Sequence, residues 1–189
     1  MKRRDALAAL SALTGGTLVL PSVLLTGCQP EETVSYRFFT REEIELLEQI
    51  ADAILPATED SPGAKAVNIG SFMDIYVADC FVLEEQAVLR GGLEQLDKRC
   101  REEFTTSFLE LSPEQQQGFL VSLDKEAEQY QKELRPGQPS HYFAMMKYLT
   151  LLGYFTSEGG ATQALRYVPV PGRYEGDYPY EEGDKAWAL

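Results

Sequence analysis

Histidine and cysteine are scarce in this chain, and their scarcity argues against several kinds of site. The 189 residues include three cysteines and a single histidine, His141. The cysteines form no CxxC or CxxCH pair and no set of four, which argues against a structural zinc site or a c-type haem on this chain. A mechanism that uses two imidazoles is excluded. Motifs for phosphate loops, dinucleotide binding, nucleophile elbows and zinc proteases are also missing.

Basic side chains are few as well. Lysine and arginine total 17 against 30 aspartates and glutamates, so the formal net charge is -13. Proteins that bind nucleic acid neutralise phosphates with basic patches, so nucleic acid is not an expected partner. The charged fraction of 25% and the aromatic fraction of 11% are those of a folded protein. For a chain of this length we expect one domain.

Residues 1–27 have the pattern of a signal peptide. Arg3 and Arg4 precede an apolar stretch, residues 6–25, which is interrupted by glycines and a proline and would make a poor permanent membrane span. The two arginines followed by Leu7 resemble a twin-arginine export signal. An ordinary secretory signal with a basic start is the alternative.

The apolar stretch ends in Leu-Thr-Gly-Cys, which resembles a bacterial lipobox and predicts lipidation of Cys28. A free cysteine in the leader is the alternative. Several acyl chains would give stable anchoring. We therefore expect an exported, membrane-anchored lipoprotein that faces the periplasm, with residues 28–39 as a lipidated, polar tether.

Five segments within residues 40–156 carry apolar residues at helical spacing. Thr40 and Glu43 form a capping box that begins the first helix, and Pro56 ends the apolar pattern. Residues 55–64, with two prolines and a glycine, predict a rigid loop. A second helix is predicted from about residue 69 to residue 83. Because it is apolar on two sides, we expect it to be the most buried of the five.

The third predicted helix carries a regular apolar stripe from Leu89 to Phe108. Ser112, followed by Pro113 and Gln115, marks the start of the fourth helix. The fifth begins near Ser140, and no alternating strand pattern exceeds four residues. The sequence therefore predicts an all-α bundle of about five helices.

The lone histidine and the two cysteines of the body have open roles. His141 lies in the first turn of the fifth predicted helix, where capping or packing is expected rather than general-base chemistry. Cys80 and Cys100 would come together if the chain turned at residues 91–92. The unbroken stripe of the third helix favours an earlier turn, near residues 84–86, which would keep the two cysteines apart.

Residues 157–189 differ in composition from the rest. They contain five glycines, three prolines, four tyrosines and the only tryptophan, Trp187. This composition predicts an extended, aromatic arm in place of a further helix. Such an arm suits docking onto a partner, and wrapping around its own bundle is the alternative.

Several of these segments, in this order, resemble the gluconate 2-dehydrogenase subunit 3 family. The resemblance covers about residues 40–175. Its most specific part is the proline-rich loop together with the helix end before it. The matching segments are residues 51–65 (ADAILPATEDSPGAK), Gly92-Leu93 with Leu96-Asp97, residues 108–116 (FLELSPEQQ) and residues 149–157 (LTLLGYFTS).

The resemblance implies a small, non-catalytic subunit of a membrane-associated, FAD-dependent dehydrogenase of the GMC type, which oxidises gluconate, other sugars or polyols. The large subunit would hold FAD and carry out the hydride chemistry. A multi-haem c-type cytochrome subunit often passes the electrons to quinone. No cofactor is expected on this chain itself. The alternative is a stand-alone periplasmic helical lipoprotein with a binding role.

The predicted contacts with the large subunit lie in the proline-rich loop, at the end of the fifth helix and in the arm. Twin-arginine export moves folded cargo, and a small bundle without a cofactor has little need of it alone. We therefore expect the chain to bind its flavin-loaded partner before export and to supply the signal for both. The candidate contact residues are Pro56, Pro62, Gly63, Tyr154, Phe155, Tyr167, Pro171, Gly172 and Tyr174.

Overall fold

The computed structural model describes residues 35–170, 172–173 and 175–188. The leader with Arg3, Arg4 and Cys28 lies outside the described residues. In the part that is described, the protein is helical and has no β-strand, which confirms the predicted all-α bundle. The helices are α1 (Arg41–Ile54), α2 (Ile69–Cys80), α3 (Leu83–Phe104), α4 (Pro113–Glu133) and α5 (Tyr142–Thr156), with 3-10 turns at Ala64–Val67 and Phe108–Glu110 and a π turn at Gly160–Ala164.

Side-chain caps begin α1 and α4 where the sequence predicts them. The Thr40 hydroxyl accepts the backbone N–H of Glu43 at 3.2 Å, and the Glu43 carboxylate accepts the Thr40 N–H at 2.7 Å. Ser112 and Gln115 exchange the same two bonds at 3.3 and 3.0 Å. Each box satisfies two amides that the first turn of a helix leaves without partners, so both predicted starts are confirmed.

His141 caps the start of α5. Its Nδ1 accepts the backbone N–H of Phe143 at 3.2 Å, and only an unprotonated ring nitrogen can accept such a bond. Burial lowers the pKa of His141 and outweighs the opposing influence of Glu126, whose Oε1 lies 3.7 Å from Nε2. The predicted capping role is therefore confirmed, and the neutral imidazole is the form that performs it.

The boundary between α2 and α3 differs from the prediction. The second helix was expected to reach residue 83, but α2 ends at Cys80 and α3 begins at Leu83. The Gln86 side chain donates to the carbonyls of Val77 at 2.9 Å and Phe81 at 3.2 Å, which holds the turn closed. The turn thus falls a few residues earlier than expected.

The third helix ends earlier than its apolar stripe suggests. α3 ends at Phe104, because Thr105 adopts a left-handed backbone with φ of 61°. Phe108 continues the apolar stripe in sequence but lies in the following 3-10 turn, where it is fully buried. Cys80 is exposed and Cys100 is buried, and both thiols are free, as the early turn leads us to expect.

α5 is the central helix, and it packs against each of α1, α2, α3 and α4. The expectation that α2 would be the most buried helix is therefore wrong. Ile75 on α2 leaves 53% of its surface exposed. Glycines allow the close approach to α5: a Cβ at Gly92 of α3 would lie 2.3 Å from Tyr142, and one at Gly153 of α5 would lie 2.5 Å from Phe72.

The segment just before α1 is part of the bundle. Residues 36–39 were expected to be the last part of a polar tether, but Phe39 is buried in the bundle. The buried carboxylate of Asp74 on α2 accepts three backbone N–H groups, from Arg37 at 2.7 Å and from Phe38 and Phe39 at 2.9 Å each. The guanidinium of Arg90 lies 4.1 Å from the centre of the Phe38 ring. This segment is thereby fixed to α2 and α3.

Candidate partner-binding surface

The proline-rich loop of residues 55–64 is held in shape by its own hydrogen bonds. The Ala64 N–H donates to the carbonyl of Leu55 at 2.9 Å, which closes the loop at its base. At its tip, the Thr58 N–H donates to the Ser61 carbonyl at 3.0 Å, and the two hydroxyls lie 3.0 Å apart. Pro56 is exposed in this loop. The loop therefore presents a fixed outline to solvent.

Gly63 and Tyr154, two of the predicted contact residues, hold the loop from inside. A Cβ at Gly63 would lie 2.6 Å from the Asp52 carboxylate and 2.8 Å from the backbone nitrogen of Ala57, so only glycine fits. The buried Tyr154 donates its hydroxyl to the carbonyl of Pro62 at 2.6 Å. Both side-chain positions face the bundle, so these residues position the loop and do not form its outer surface.

The chain after α5 makes a further helical turn before it becomes extended. The arm was expected to be extended from residue 157, whereas residues 160–164 form a π turn. The Ser157 hydroxyl accepts the N–H of Gly160 at 3.0 Å. A Cβ at Gly160 would lie 1.9 Å from the Tyr154 carbonyl oxygen, so glycine is what lets the chain pass this point.

The arm folds back on itself around Arg166. The Arg166 N–H donates to the carbonyl of Ala186 at 2.8 Å, and the Ala188 N–H donates to the carbonyl of Arg166 at 2.9 Å. The guanidinium lies 4.8 Å from the Trp187 ring centre and 5.6 Å from that of Tyr178. The arm therefore pairs some of its own backbone N–H and carbonyl groups, and the Arg166 guanidinium covers part of its aromatic surface.

The end of the arm meets the proline-rich loop. The Lys185 ammonium lies 3.5 Å from the carbonyl oxygen of Asp60 and donates to the carbonyl of Gln163. Among the predicted contact residues of the arm, Tyr167 is exposed and Gly172 has a positive φ of 78°, while Pro171 and Tyr174 lie outside the described residues. The end of the arm and the tip of the proline-rich loop are thus in contact.

A second exposed surface, which the sequence pattern did not predict, lies where α2 and α5 pack side by side. Phe155, a predicted contact residue, is its only member found from the sequence. The sequence signal was the second apolar side of α2, which was interpreted as core. We call this surface the α2–α5 face. Its members are Phe72, Ile75, Tyr76, Tyr148, Leu151 and Phe155.

Two further features of the described residues concern metal-ligand clusters and the buried cysteine. In that part of the chain, no three His, Cys, Asp or Glu side chains are grouped as metal ligands. Burial, with smaller contributions from Asp97 and Glu103, raises the pKa of the Cys100 thiol to about 12, which keeps this thiol protonated and unreactive at neutral pH. None of the described helices has the length and hydropathy of a membrane span.

A comparison with known protein families gives a match over most of this chain. The family described as gluconate 2-dehydrogenase subunit 3 matches residues 41–172, from the first residue of α1 into the arm. The chain belongs to the gluconate 2-dehydrogenase subunit 3 family. No curated protein and no solved structure matches it. Membership in the subunit 3 family indicates that the chain is an accessory subunit, and it implies a dehydrogenase as the partner.

The match of this subunit 3 protein to its family covers both surfaces. The proline-rich loop and the α2–α5 face lie within residues 41–172, together with every predicted contact residue except Tyr174. The match ends before residues 178–188, which fold back onto Arg166. The family match therefore includes the bundle and the loop, and it does not include the end of the arm.

Proposed function

We propose that this chain is the non-catalytic small subunit of a membrane-associated complex that oxidises gluconate, other sugars or polyols. Its role is to bind and stabilise a large, FAD-dependent subunit of the GMC type. The hydride chemistry belongs to that partner, and a c-type cytochrome subunit, where present, carries the electrons onward. The observation that carries the proposal is the family match over residues 41–172.

The rigidity of the proline-rich loop supports a binding role. Its hydrogen bonds and the anchor from Tyr154 to Pro62 hold its backbone before any partner arrives. A preorganised surface loses less conformational entropy on binding than a mobile one. The loop also carries prolines, which add no amide donor that a partner would have to satisfy.

Purification from solubilised native membranes tests the proposal. A tagged chain should bring with it flavin absorbance and the ability to reduce an artificial electron acceptor with gluconate or another sugar substrate. The chain purified alone should show neither. A tagged chain that carries no flavoprotein would support the stand-alone lipoprotein instead, and activity of the isolated chain would contradict a non-catalytic role.

We also propose that the leader exports both subunits together and that lipid on Cys28 holds the complex at the membrane, facing the periplasm. Replacing Arg3 and Arg4 with lysine should lower the periplasmic dehydrogenase activity several-fold and leave the large subunit in the cytoplasm, because the twin-arginine route requires the arginine pair. Fractionation of cells followed by activity assays measures this.

Cys28→Ser is the matched control for the export experiment. It keeps the arginine pair, so export should continue while the attachment of the complex to the membrane is lost. If the lysine variant exports the large subunit as well as the wild type does, the partner has its own route and the shared-signal proposal is wrong.

A further inference from the structure

The two helices of the α2–α5 face have almost no free charge. They contain three charged residues, and the structure gives each a partner. The Asp74 carboxylate accepts backbone N–H groups, the Asp79 carboxylate pairs with Arg37 at 2.7 Å, and the Lys147 ammonium pairs with Asp124 at 2.7 Å. The neighbouring α3, by contrast, carries ten charged side chains. The exposed side of α2 and α5 is therefore exceptional in an acidic chain.

The same side of these helices exposes large apolar and aromatic groups. Ile75 and Tyr148 leave 53% and 52% of their surface open, and Phe155 leaves 37%. The spacing of Tyr148, Leu151 and Phe155 by three and four residues places them along one stripe of α5. An exposed stripe of this kind is typical of an interaction site, since single apolar residues on a surface are common but contiguous ones are not.

Contacts between the helices join the two stripes into one surface. The Phe72 ring packs over Gly153 of α5, and the Phe72 and Tyr76 ring centres lie 5.5 Å apart. Hydrogen bonding to Tyr148, with a smaller contribution from burial, raises the pKa of Tyr76. Aromatic residues with few charges at the centre are the composition found in the buried part of protein interfaces.

We propose that the α2–α5 face is a further surface, in addition to the proline-rich loop, through which this chain docks onto the dehydrogenase subunit of its complex. The inference rests on the proposed function and adds the location of the contact. The partner surface should be apolar at its centre and carry basic groups around it, since the chain has a formal net charge of -13.

Charge also distinguishes this partner from two other occupants. Two copies of a chain with a net charge of -13 repel each other, which disfavours self-association. Anionic lipid headgroups would repel the chain for the same reason. A different protein with complementary charge meets neither obstacle.

Placing a charge at the centre of the face tests the proposal. Ile75→Glu and Tyr148→Glu should each lower the amount of flavoprotein that co-purifies with the tagged chain by about tenfold or more, because a buried carboxylate without a partner is costly in an interface. Val121→Glu is the matched control, since Val121 on α4 is 48% exposed and lies outside the face. It should retain the flavoprotein.

Thermal unfolding of each purified variant separates lost docking from lost folding. All three sites are about half exposed, so their unfolding temperatures should stay near that of the wild type. If a glutamate variant unfolds, Ile75→Ser and Tyr148→Ser remove the apolar contact without adding charge and should still lower the co-purified flavin several-fold.

Three outcomes would overturn the assignment in different ways. If the wild type brings no flavoprotein with it, the proposed function itself fails. If the wild type does, but folded variants at positions 75 and 148 bring just as much, the function stands and docking occurs elsewhere. If the purified chain is a dimer that Ile75→Glu dissociates, the face binds a second copy.

Discussion

Gly92→Ala should lower the free energy of unfolding by about 3 kcal/mol, because it forces a methyl group between two packed helices. A Cβ at this position of α3 would lie 2.3 Å from both Cβ and Cγ of Tyr142 on α5. The Tyr142 Cβ is fixed by the helix backbone and cannot rotate away. The two helices would have to separate or slide, and α5 contacts every other helix of the bundle.

Gly91→Ala is the matched control on the same helix. Apart from its chain neighbours and the backbone of its own helix, no atom lies within 4 Å of a Cβ at Gly91. The added methyl group therefore costs no packing, and the higher helix propensity of alanine should raise the free energy of unfolding by about 0.5–1 kcal/mol. Urea unfolding followed by circular dichroism measures both changes. Equal stabilities for the two variants would show that α3 and α5 do not pack at Gly92.

The helix starts could be predicted from the sequence because their chemistry is local. The capping boxes of Thr40 with Glu43 and of Ser112 with Gln115 involve residues three apart, and both form as expected. The capping role of His141 is equally local. The same reasoning placed the α2–α3 turn a few residues late, because the bonds from Gln86 back to residues 77 and 81 depend on how the chain folds there.

The apolar pattern of α2 shows what sequence periodicity cannot decide. Periodicity tells which sides of a helix are apolar, but a core and a docking surface both produce an apolar side. Met73 and Val77 of α2 are buried in the core, whereas Ile75 faces solvent. The apolar pattern predicted that both sides of α2 belong to the core, so most of the α2–α5 face was not predicted.

The sequence indicated which residues belong to the candidate contact region, but it did not predict the role of each one. Pro62, Gly63 and Tyr154 do come together, although 92 residues separate Tyr154 from Pro62 in the chain. Their resemblance to a family motif indicated importance, but it did not distinguish residues that hold the loop from residues that face outward. That distinction comes from the hydrogen bond and from the space around Gly63.

Asp74→Asn should lower the free energy of unfolding at neutral pH by about 3 kcal/mol. Oδ1 of Asp74 accepts from Phe38 and Phe39, and Oδ2 accepts from Arg37. An asparagine keeps one acceptor oxygen and turns an NH2 group toward the remaining backbone N–H. One buried donor then faces another donor, and the two surviving bonds lose the strength that the carboxylate charge lends them.

The loss of stability in Asp74→Asn should depend on pH, and the pKa of Asp74 determines the direction of that dependence. Burial by itself raises this pKa, but the bonds from the three backbone N–H groups outweigh burial and hold it below its ordinary value. The carboxylate therefore stabilises the fold at pH values above the pKa of an unfolded aspartate, about 3.9, and this contribution disappears as the pH falls through the folded pKa. The two proteins should differ most near neutral pH and converge in acid.

Asp79→Asn provides the control, because Asp79 pairs with Arg37 on the surface of the same helix. Exposed ion pairs contribute about 0–1 kcal/mol, so this variant should stay close to the wild type across the pH range. Urea unfolding at several pH values measures all three proteins. A difference between wild type and Asp74→Asn that is as large in acid as at neutral pH would mean that the shape of the side chain, and not its charge, secures residues 37–39 to the bundle.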